Sequence, residues 1–446
     1  MIWIQLIILL TAILLGSRMK GIGLGLMGMA GLLLFILFFH MRPTEPPIDV
    51  MLIILSIVTT AATLQAAGGL DYLVGIAEKI IRKHPSQIIF IGPLVVFCLA
   101  LFAGTSHIVY SMLPIISEVS AKKRIRPERP LSISVVASHL ALTGSPMSAA
   151  TAALATILAY PGAAVDIMMI GIPSCLIGVL AGAVSVLRMG KDLEKDPVFI
   201  ERMKDPAFAG SIDAGQTGKS PAIRPGAKTA VLIFGLTILF IVLAGSFPSM
   251  VPRVGAGIAN LSVRADGTLT TATIIEILTL TGAALMMAFS RTSPAEVVKA
   301  SLFTSMASAV VAVFGVVWMS STFISHNQAL IEHTMGDIAK LHPWTFSIAI
   351  FLMGVFMFSQ AATTKTMMPL GLVLGISHPG LIAMFPTVNS DFVLPGYPTL
   401  LAAINFDRTG TTRIGRFIVN HSFIRPGLVA VTVAVVVGFV LTKILL

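Results

Sequence analysis

The chain has 446 residues, of which 56% are hydrophobic and only 11% charged, with a formal net charge of +10. A soluble domain carries roughly a quarter charged residues, and no polar stretch here is long enough to separate several soluble domains, so an ordinary soluble globule is excluded and an integral membrane protein is predicted. Most Lys and Arg residues lie in the loops between apolar segments, which fits orientation in a bilayer rather than nucleic-acid binding. Cys98 and Cys175 lie in apolar runs and make neither a disulfide framework nor a four-ligand metal site.

Residues 2–16 are apolar, have no basic region before them and are followed by Arg18 and Lys20, so they predict a first span with its N-terminus outside rather than a cleaved signal peptide. Apolar segments follow near 21–40, 49–70, 86–104, 105–119, 131–158, 162–187, 229–250, 270–290, 301–322, 345–359, 361–376, 381–405 and 424–446. Several are shorter than the roughly 20 residues of a straight spanning helix. If each segment crosses once, the loops at 18–20, 78–84, 122–129, 188–228, 291–299 and 406–416 share one side, and these are the basic loops. The opposite loops at 41–48, 252–269, 323–344 and 377–380 are poor in Lys and Arg. The pattern predicts an even number of crossings with both termini outside. A re-entrant hairpin leaves that arithmetic unchanged.

Two local patterns occur once in each half. The first is a polar knot running into Met-Leu-Pro or Met-Met-Pro: Gly104-Thr105-Ser106-His107 before Met112-Leu113-Pro114, and Ser359-Gln360 with Thr363-Thr364-Lys365-Thr366 before Met367-Met368-Pro369. The second is a proline-started helix: Ser145-Pro146-Met147-Ser148 against Tyr397-Pro398-Thr399-Leu400. Pro114 and Pro369 are 255 residues apart (369 less 114), and Pro146 and Pro398 are 252 apart (398 less 146). In the span count, segment 21–40 runs outward and its partner 270–290 inward, so the halves are related by inversion. This predicts an all-α membrane protein of two inverted repeats of about six segments each, with one extra helix before each repeat, the architecture of secondary transporters. The first half is 1–187, the linker 188–228 a solvated loop, and the second half 229–446.

Interrupted helices persist at membrane depth only where they line a polar cavity or are buried in protein. Pro146 and Pro398 each suit the first turn of a half-helix, with Ser145 capping the first and Gly396 freeing the second to turn. The N-termini of both half-helices would stabilise carboxylates, and two of them suit a substrate with two carboxylates. Ionisable groups in these segments are few: His107, His139, Lys365 and Asp391. Lys365 is read as a direct carboxylate contact or as a lysine snorkelling to an interface. His107 is the first-half counterpart, as a donor or, if protonated, a cation. Thr105, Ser106, Ser145, Ser148, Thr363, Thr364 and Thr399 offer neutral donors, although such hydroxyls often bond their own backbone. Gln360 and Tyr397 complete the candidate substrate contacts with Pro146 and Pro398. Asn389, Ser390 and Asp391 are candidates for a coupling cation, Na+ or H+, or Asp391 is the structural partner of Lys365. His139 is expected to pack and hydrogen-bond within its own helix. Glu78 and Arg82, spaced i,i+4, read as an exposed helix pair or, with Arg126, as a gating vestibule that attracts anions. The absence of a Walker motif, of HExxH and of clustered Cys and His disfavours ATP-driven transport and a membrane enzyme, and implies no cofactor.

At these residues the sequence resembles the anaerobic C4-dicarboxylate uptake (Dcu) family over essentially its whole length. The resemblance rests on Ala66-Ala67-Gly68-Gly69-Leu70-Asp71, Ala103-Gly104-Thr105 with Leu113-Pro114, Arg129-Pro130, Ser145-Pro146, Ser359-Gln360-Ala361-Ala362-Thr363, Leu394-Pro395 with Tyr397-Pro398-Thr399, and Asp407-Arg408-Thr409-Gly410-Thr411-Thr412-Arg413-Ile414-Gly415. Gly104-Thr105-Ser106-His107 with Val109-Tyr110 looks like a fumarate/succinate branch, and Thr363-Thr364-Lys365 with Met368-Pro369 like an aspartate-preferring one. The resemblance implies a bacterial inner-membrane antiporter of fumarate, malate, aspartate and succinate in anaerobic fumarate respiration, both termini periplasmic, with re-entrant hairpins, elevator-type movement and a homodimeric state. The alternative is a dicarboxylate-responsive regulatory membrane protein acting with a sensor kinase.

Overall fold

The structure, a computed structural model, describes residues 2–19, 22–158, 160, 162–214, 223–247, 250–255, 262–263, 266–303, 310–311, 314–323, 325–327, 342, 344–357, 359–394, 397–415 and 420–446. Among these, regular structure is helical, and the only β pairings are isolated bridges. The first half contains α1 (Ile2–Arg18), α2 (Gly23–Phe39), α3 (Ile48–Ala66), α4 (Gly69–Lys83), α5 (Ile88–Ala103), α6 (Val109–Lys122), α7 (Glu128–Leu140), α8 (Ala149–Leu158) and α9 (Ala163–Val186). Short helices α10 (Pro197–Arg202) and α11 (Pro206–Ala214) occupy the linker. The second half contains α12 (Ala227–Ser246), α13 (Thr271–Ser290), α14 (Pro294–Lys299), the helical residues 314–323 as α15, α16 (Thr345–Met357), α17 (Gln360–Val373), α18 (His378–Met384), α19 (Pro398–Phe406) and α20 (Ile424–Leu445).

Among the described residues, five helices are long and apolar enough to cross a bilayer, Pro85–Ala103, Ala163–Val186, Ala227–Ala244, Thr273–Ser290 and Ile424–Leu445, and a bent pair, Met51–Ala66 with Gly69–Lys83, makes a sixth if counted as one span. Trp3, Phe38, Leu232, Phe289 and Val436 are exposed, as expected of side chains that face lipid. This is an all-α multi-span membrane protein. Several predicted single segments are broken: 131–158 into α7, a short 3-10 turn and α8, and 381–405 into α18, a 3-10 turn, an irregular stretch and α19. Apolarity marks what is kept from water, and a short helix buried among others carries the same signal as a spanning one. The segment predicted at 49–70 bends by 68° after Ala66, at Gly68, and continues as α4, whose face of Leu70, Ala77 and Ile81 is buried while Lys79 and Lys83 are exposed.

Helices α9 and α20 pack along their length, with Gly178 and Gly182 against Ala430 and Ala434. In lipid the hydrophobic drive between helices is lost, so small residues that admit close backbone approach carry the packing. Helix α1 packs on α2 and α12 on α13; α8 packs on α17 and α19 on α6.

Among the described residues, ion pairs and hydrogen bonds join five of the basic loops, those at 78–84, 122–129, 188–228, 291–299 and 406–416, into one basic face. Arg82 joins Glu78 and Glu118, and Glu118 also joins Lys122. Arg126 donates to Glu128 (2.6 Å) and Asp196 (2.8 Å), Arg129 to Asp192 (2.8 Å), and Arg202 to the carbonyl of Thr409 (2.9 Å). Arg224 bonds the Ala66 carbonyl and Glu296. The Arg224 guanidinium and then the Ser293 amide and hydroxyl hold the Glu296 carboxyl down at about 2. Burial alone would raise the Asp196 carboxyl, but the Arg126 guanidinium outweighs it and the group sits below its ordinary range. The described parts of the stretch 188–228, residues 188–214 and 223–228, carry α10 and α11 and are tied to this face through Asp192, Asp196, Arg202 and Arg224. Among loops poor in Lys and Arg, Trp318 donates to the Thr44 carbonyl (2.6 Å), and Tyr160 stacks on His378.

Candidate functional site

The two polar knots become helix starts. Helix α5 ends at Gly104, where φ is 67°, and the Thr105 hydroxyl accepts from the His107 amide (3.2 Å) before α6 begins at Val109. The Ser359 hydroxyl accepts from the Ala362 amide (3.3 Å) and caps α17. Pro398 opens α19 as predicted. Pro146 does not open α8: the chain turns through Pro146 and Met147, and α8 starts at Ala149. Ser145 accordingly does not cap that helix. Its hydroxyl donates to the Leu101 carbonyl (2.6 Å) and accepts from the Met147 amide (3.2 Å), while Ser148 accepts from the Ala150 amide (3.1 Å). The polar atoms of this turn are satisfied by α5, so the helix is delayed by three residues. Pro395 and Gly396 lie outside the described residues.

Gly104 locks the first pair of broken segments together. Its left-handed backbone disfavours any side chain, and a Cβ there would collide with the Met147 carbonyl. Gly104→Ala is expected to cost about 2–4 kcal/mol, the left-handed penalty added to overpacking against backbone. A thermal melt of the purified protein checks this, and an unchanged midpoint would refute the contact.

Between the halves lies a buried polar network. His139 Nδ1 sits 3.0 Å from Asp391 Oδ1, and His139 Nε2 is 2.9 Å from Thr399 Oγ1. Gln360 donates to the other carboxylate oxygen of Asp391 (2.9 Å). The Tyr397 ring meets His139 edge-on at 4.8 Å, and Tyr397 hydrogen-bonds Ser106. His139 therefore bonds across the two halves rather than within its own helix. Asp391 is the partner of His139 and Gln360, not of Lys365. Asn389 donates to the Pro386 carbonyl (3.0 Å) and Ser390 to the Phe351 carbonyl (2.6 Å). These bonds order the turn that presents Asp391.

Lys365 is 2% exposed, and its Nζ has no hydrogen-bond partner among the described residues. It does not snorkel. Thr366 Oγ1 and Asn389 Oδ1 are likewise unpartnered there. The Thr363 and Thr364 hydroxyls donate to the carbonyls of Ser359 and Gln360, one helical turn back, so only their oxygen lone pairs remain available. His107 is exposed and stacks on Tyr110 at 5.8 Å. Glu78 and Arg82 form the expected i,i+4 pair at 2.8 Å. Arg126 belongs to a separate set, with Glu128 and Asp196.

A family profile described as "Anaerobic c4-dicarboxylate membrane transporter" matches residues 1–446. The chain belongs to the DcuA/DcuB family. It is 40% identical over 448 residues to the C4-dicarboxylate transporter DcuA of Wolinella succinogenes, with 100% of both chains covered. It is 37% identical over 444 residues to the anaerobic C4-dicarboxylate transporter DcuB of Escherichia coli O6:H1, covering 98% of this chain and 97% of that one. The Escherichia coli K12 DcuA is 36% identical, again with full coverage of both. Among solved structures, the Alcanivorax borkumensis YdaH transporter superposes with a TM-score of 0.51 at 16% identity, covering 88% of this chain and 84% of that one; this likeness concerns the fold. As a DcuA/DcuB-family member the chain is a multi-pass inner-membrane protein that carries out secondary transport of C4-dicarboxylates, and it is not an enzyme.

For this DcuA/DcuB-family site, sequence reasoning left His139 out of the candidate contacts. The available signal was its spacing of 252 residues from Asp391, the same as between Pro146 and Pro398.

Proposed function

We propose that this chain is an antiporter that exchanges C4-dicarboxylates such as fumarate, malate, aspartate and succinate, with the substrate bound between the two pairs of broken segments. The observation that carries the reading is Lys365, a buried amine on the same helix as Gln360 with no hydrogen-bond partner among the described residues. A carboxylate is the complementary partner for such a group. The second carboxylate would face helix starts at α8 or α19, where amide groups and the helix dipole favour an anion. Thr105, Ser106, His107, Ser148 and Tyr397 supply further donors. The two halves are read as inverted repeats, supported by the matched helix starts after both polar knots and by the reciprocal packing of α8 on α17 and α19 on α6. The basic face is assigned to the cytoplasm and both termini to the periplasm. Movement would be of the elevator type, in a homodimer.

Counterflow in proteoliposomes tests exchange directly. With succinate inside, labelled fumarate or aspartate uptake is expected to rise at least about ten-fold over empty vesicles, since exchange supplies the return step that net uptake lacks. Uptake indifferent to internal succinate would exclude antiport. The same assay under a sodium or proton gradient identifies the coupling ion.

A further inference from the structure

The string Asp407-Arg408-Thr409-Gly410-Thr411-Thr412-Arg413-Ile414-Gly415 takes no part in the buried network. The Asp407 carboxylate accepts from the Thr409 amide (2.9 Å), the Thr409 hydroxyl (2.5 Å), the Thr411 hydroxyl (2.8 Å) and the Thr412 amide (2.6 Å). Its acceptor capacity is used within its own loop, which rigidifies the turn. The chain then pairs with itself: the Ser422 amide donates to the Arg413 carbonyl (3.1 Å) and the Gly415 amide to the Asn420 carbonyl (2.6 Å). The Ser422 hydroxyl ties this pairing to Glu128 (2.6 Å).

Between this paired stretch, Glu128 and the start of α20 lies a cavity of about 530 Å³ on the basic face. Arg413 and Arg425 both line it; both are exposed, and neither side chain has a hydrogen-bond or ion-pair partner among the described residues. Among the described residues, the only carboxylate lining it is Glu128, already occupied by Arg126 (2.6 Å) and Ser422 (2.6 Å). His421 adds no charge in this geometry. Its Nδ1 accepts from the Phe423 amide (3.3 Å), so the proton lies on Nε2, which donates to the Val393 carbonyl (3.0 Å). The cavity thus carries two uncompensated guanidinium groups on polar walls.

We propose that this cavity is a second anion site, separate from the transport site, for a phosphate- or carboxylate-bearing group held by Arg413 and Arg425. Guanidinium groups match planar or tetrahedral oxyanions bidentately, and a concave site lined by one sign of charge concentrates the opposite sign. The volume falls in the range of small-ligand pockets, about 300–1,000 Å³. Two sources share this chemistry: an anionic lipid headgroup reached where α20 enters the bilayer, and a free anion from solution. His421 also bonds Val393, which places the site one hydrogen bond from the turn that carries Asp391.

The test uses the full-length protein, delipidated in a non-ionic detergent. One arm titrates phosphatidylglycerol by native mass spectrometry, with phosphatidylcholine as the neutral control. The other titrates inorganic phosphate by calorimetry. The wild type is expected to bind one probe, and R413Q/R425Q to weaken that binding at least about ten-fold with an unchanged melting midpoint. Loss of the phosphatidylglycerol response identifies the lipid headgroup, and loss of the phosphate response identifies the free anion. If the double variant fails to fold, R413Q and R425Q are measured singly, each expected to weaken binding at least about three-fold. Wild-type binding no tighter than the neutral control, or variants that bind both probes like the wild type, would overturn the site and leave Arg425 as a membrane anchor. Neither outcome bears on the exchange reading, which rests on Lys365.

Discussion

Lys365→Met is expected to remove C4-dicarboxylate exchange while making the empty transporter more stable. The two signs separate because Lys365 is buried with no counter-charge among the described residues. Burying an unpaired charge costs several kcal/mol of desolvation. Methionine is of similar length and apolar, so it leaves no large cavity. Replacing buried charge with a packed apolar side chain stabilises proteins by about 1–4 kcal/mol in favourable cases. Losing the partner of a buried carboxylate, by contrast, weakens binding by roughly 2–5 kcal/mol, or about 30- to several-thousand-fold. Exchange in proteoliposomes and a thermal melt of the same preparation read both effects. Saturating succinate should raise the wild-type midpoint, because a ligand at about 100 times its Kd adds about 2.7 kcal/mol, and should leave the variant's unchanged. A variant that is inactive and also less stable would make Lys365 a structural residue. Full exchange by the variant would remove it from the site.

The largest coupled loss is expected at the His139 and Asp391 pair. Asp391→Leu strips the acceptor from His139 and from Gln360 in a site without access to water. Breaking a buried pair from one side costs about 3–5 kcal/mol. His139→Leu leaves Asp391 with Gln360 alone and leaves Thr399 without its ring partner. The double variant removes both buried polar groups, so its loss should fall well short of the sum of the two single losses, with a coupling energy above about 1.5 kcal/mol. Ordinary hydrogen bonds between membrane helices average nearer to about 0.6 kcal/mol, so the size of the coupling distinguishes a buried charge-assisted pair from routine helix contacts. Additivity within about 0.5 kcal/mol would mean that the two side chains do not act as a unit. Transport should fall in all three variants, because the network joins α7, α17 and α19, the elements between which the substrate is placed.

Composition alone settled the membrane class, since bilayer insertion selects for that one-dimensional property. The ion pairs of Arg82, Arg126, Arg129 and Arg224, with the Arg202 hydrogen bond to the Thr409 carbonyl, then join basic loops that the charge pattern had grouped. The polar knots and the start of α19 at Pro398 were also readable, because proline and small polar residues are conspicuous in apolar sequence. Breaks inside apolar segments were less so: hydropathy has no term for a turn whose amides are met by another helix, and Ser145 bonding Leu101 is such a case. The partner of Asp391 was decided by the tertiary structure. A buried carboxylate takes the nearest donor in space, and only the packing of the two halves places His139, 252 residues away in sequence, at 3.0 Å while leaving Lys365 with no partner among the described residues.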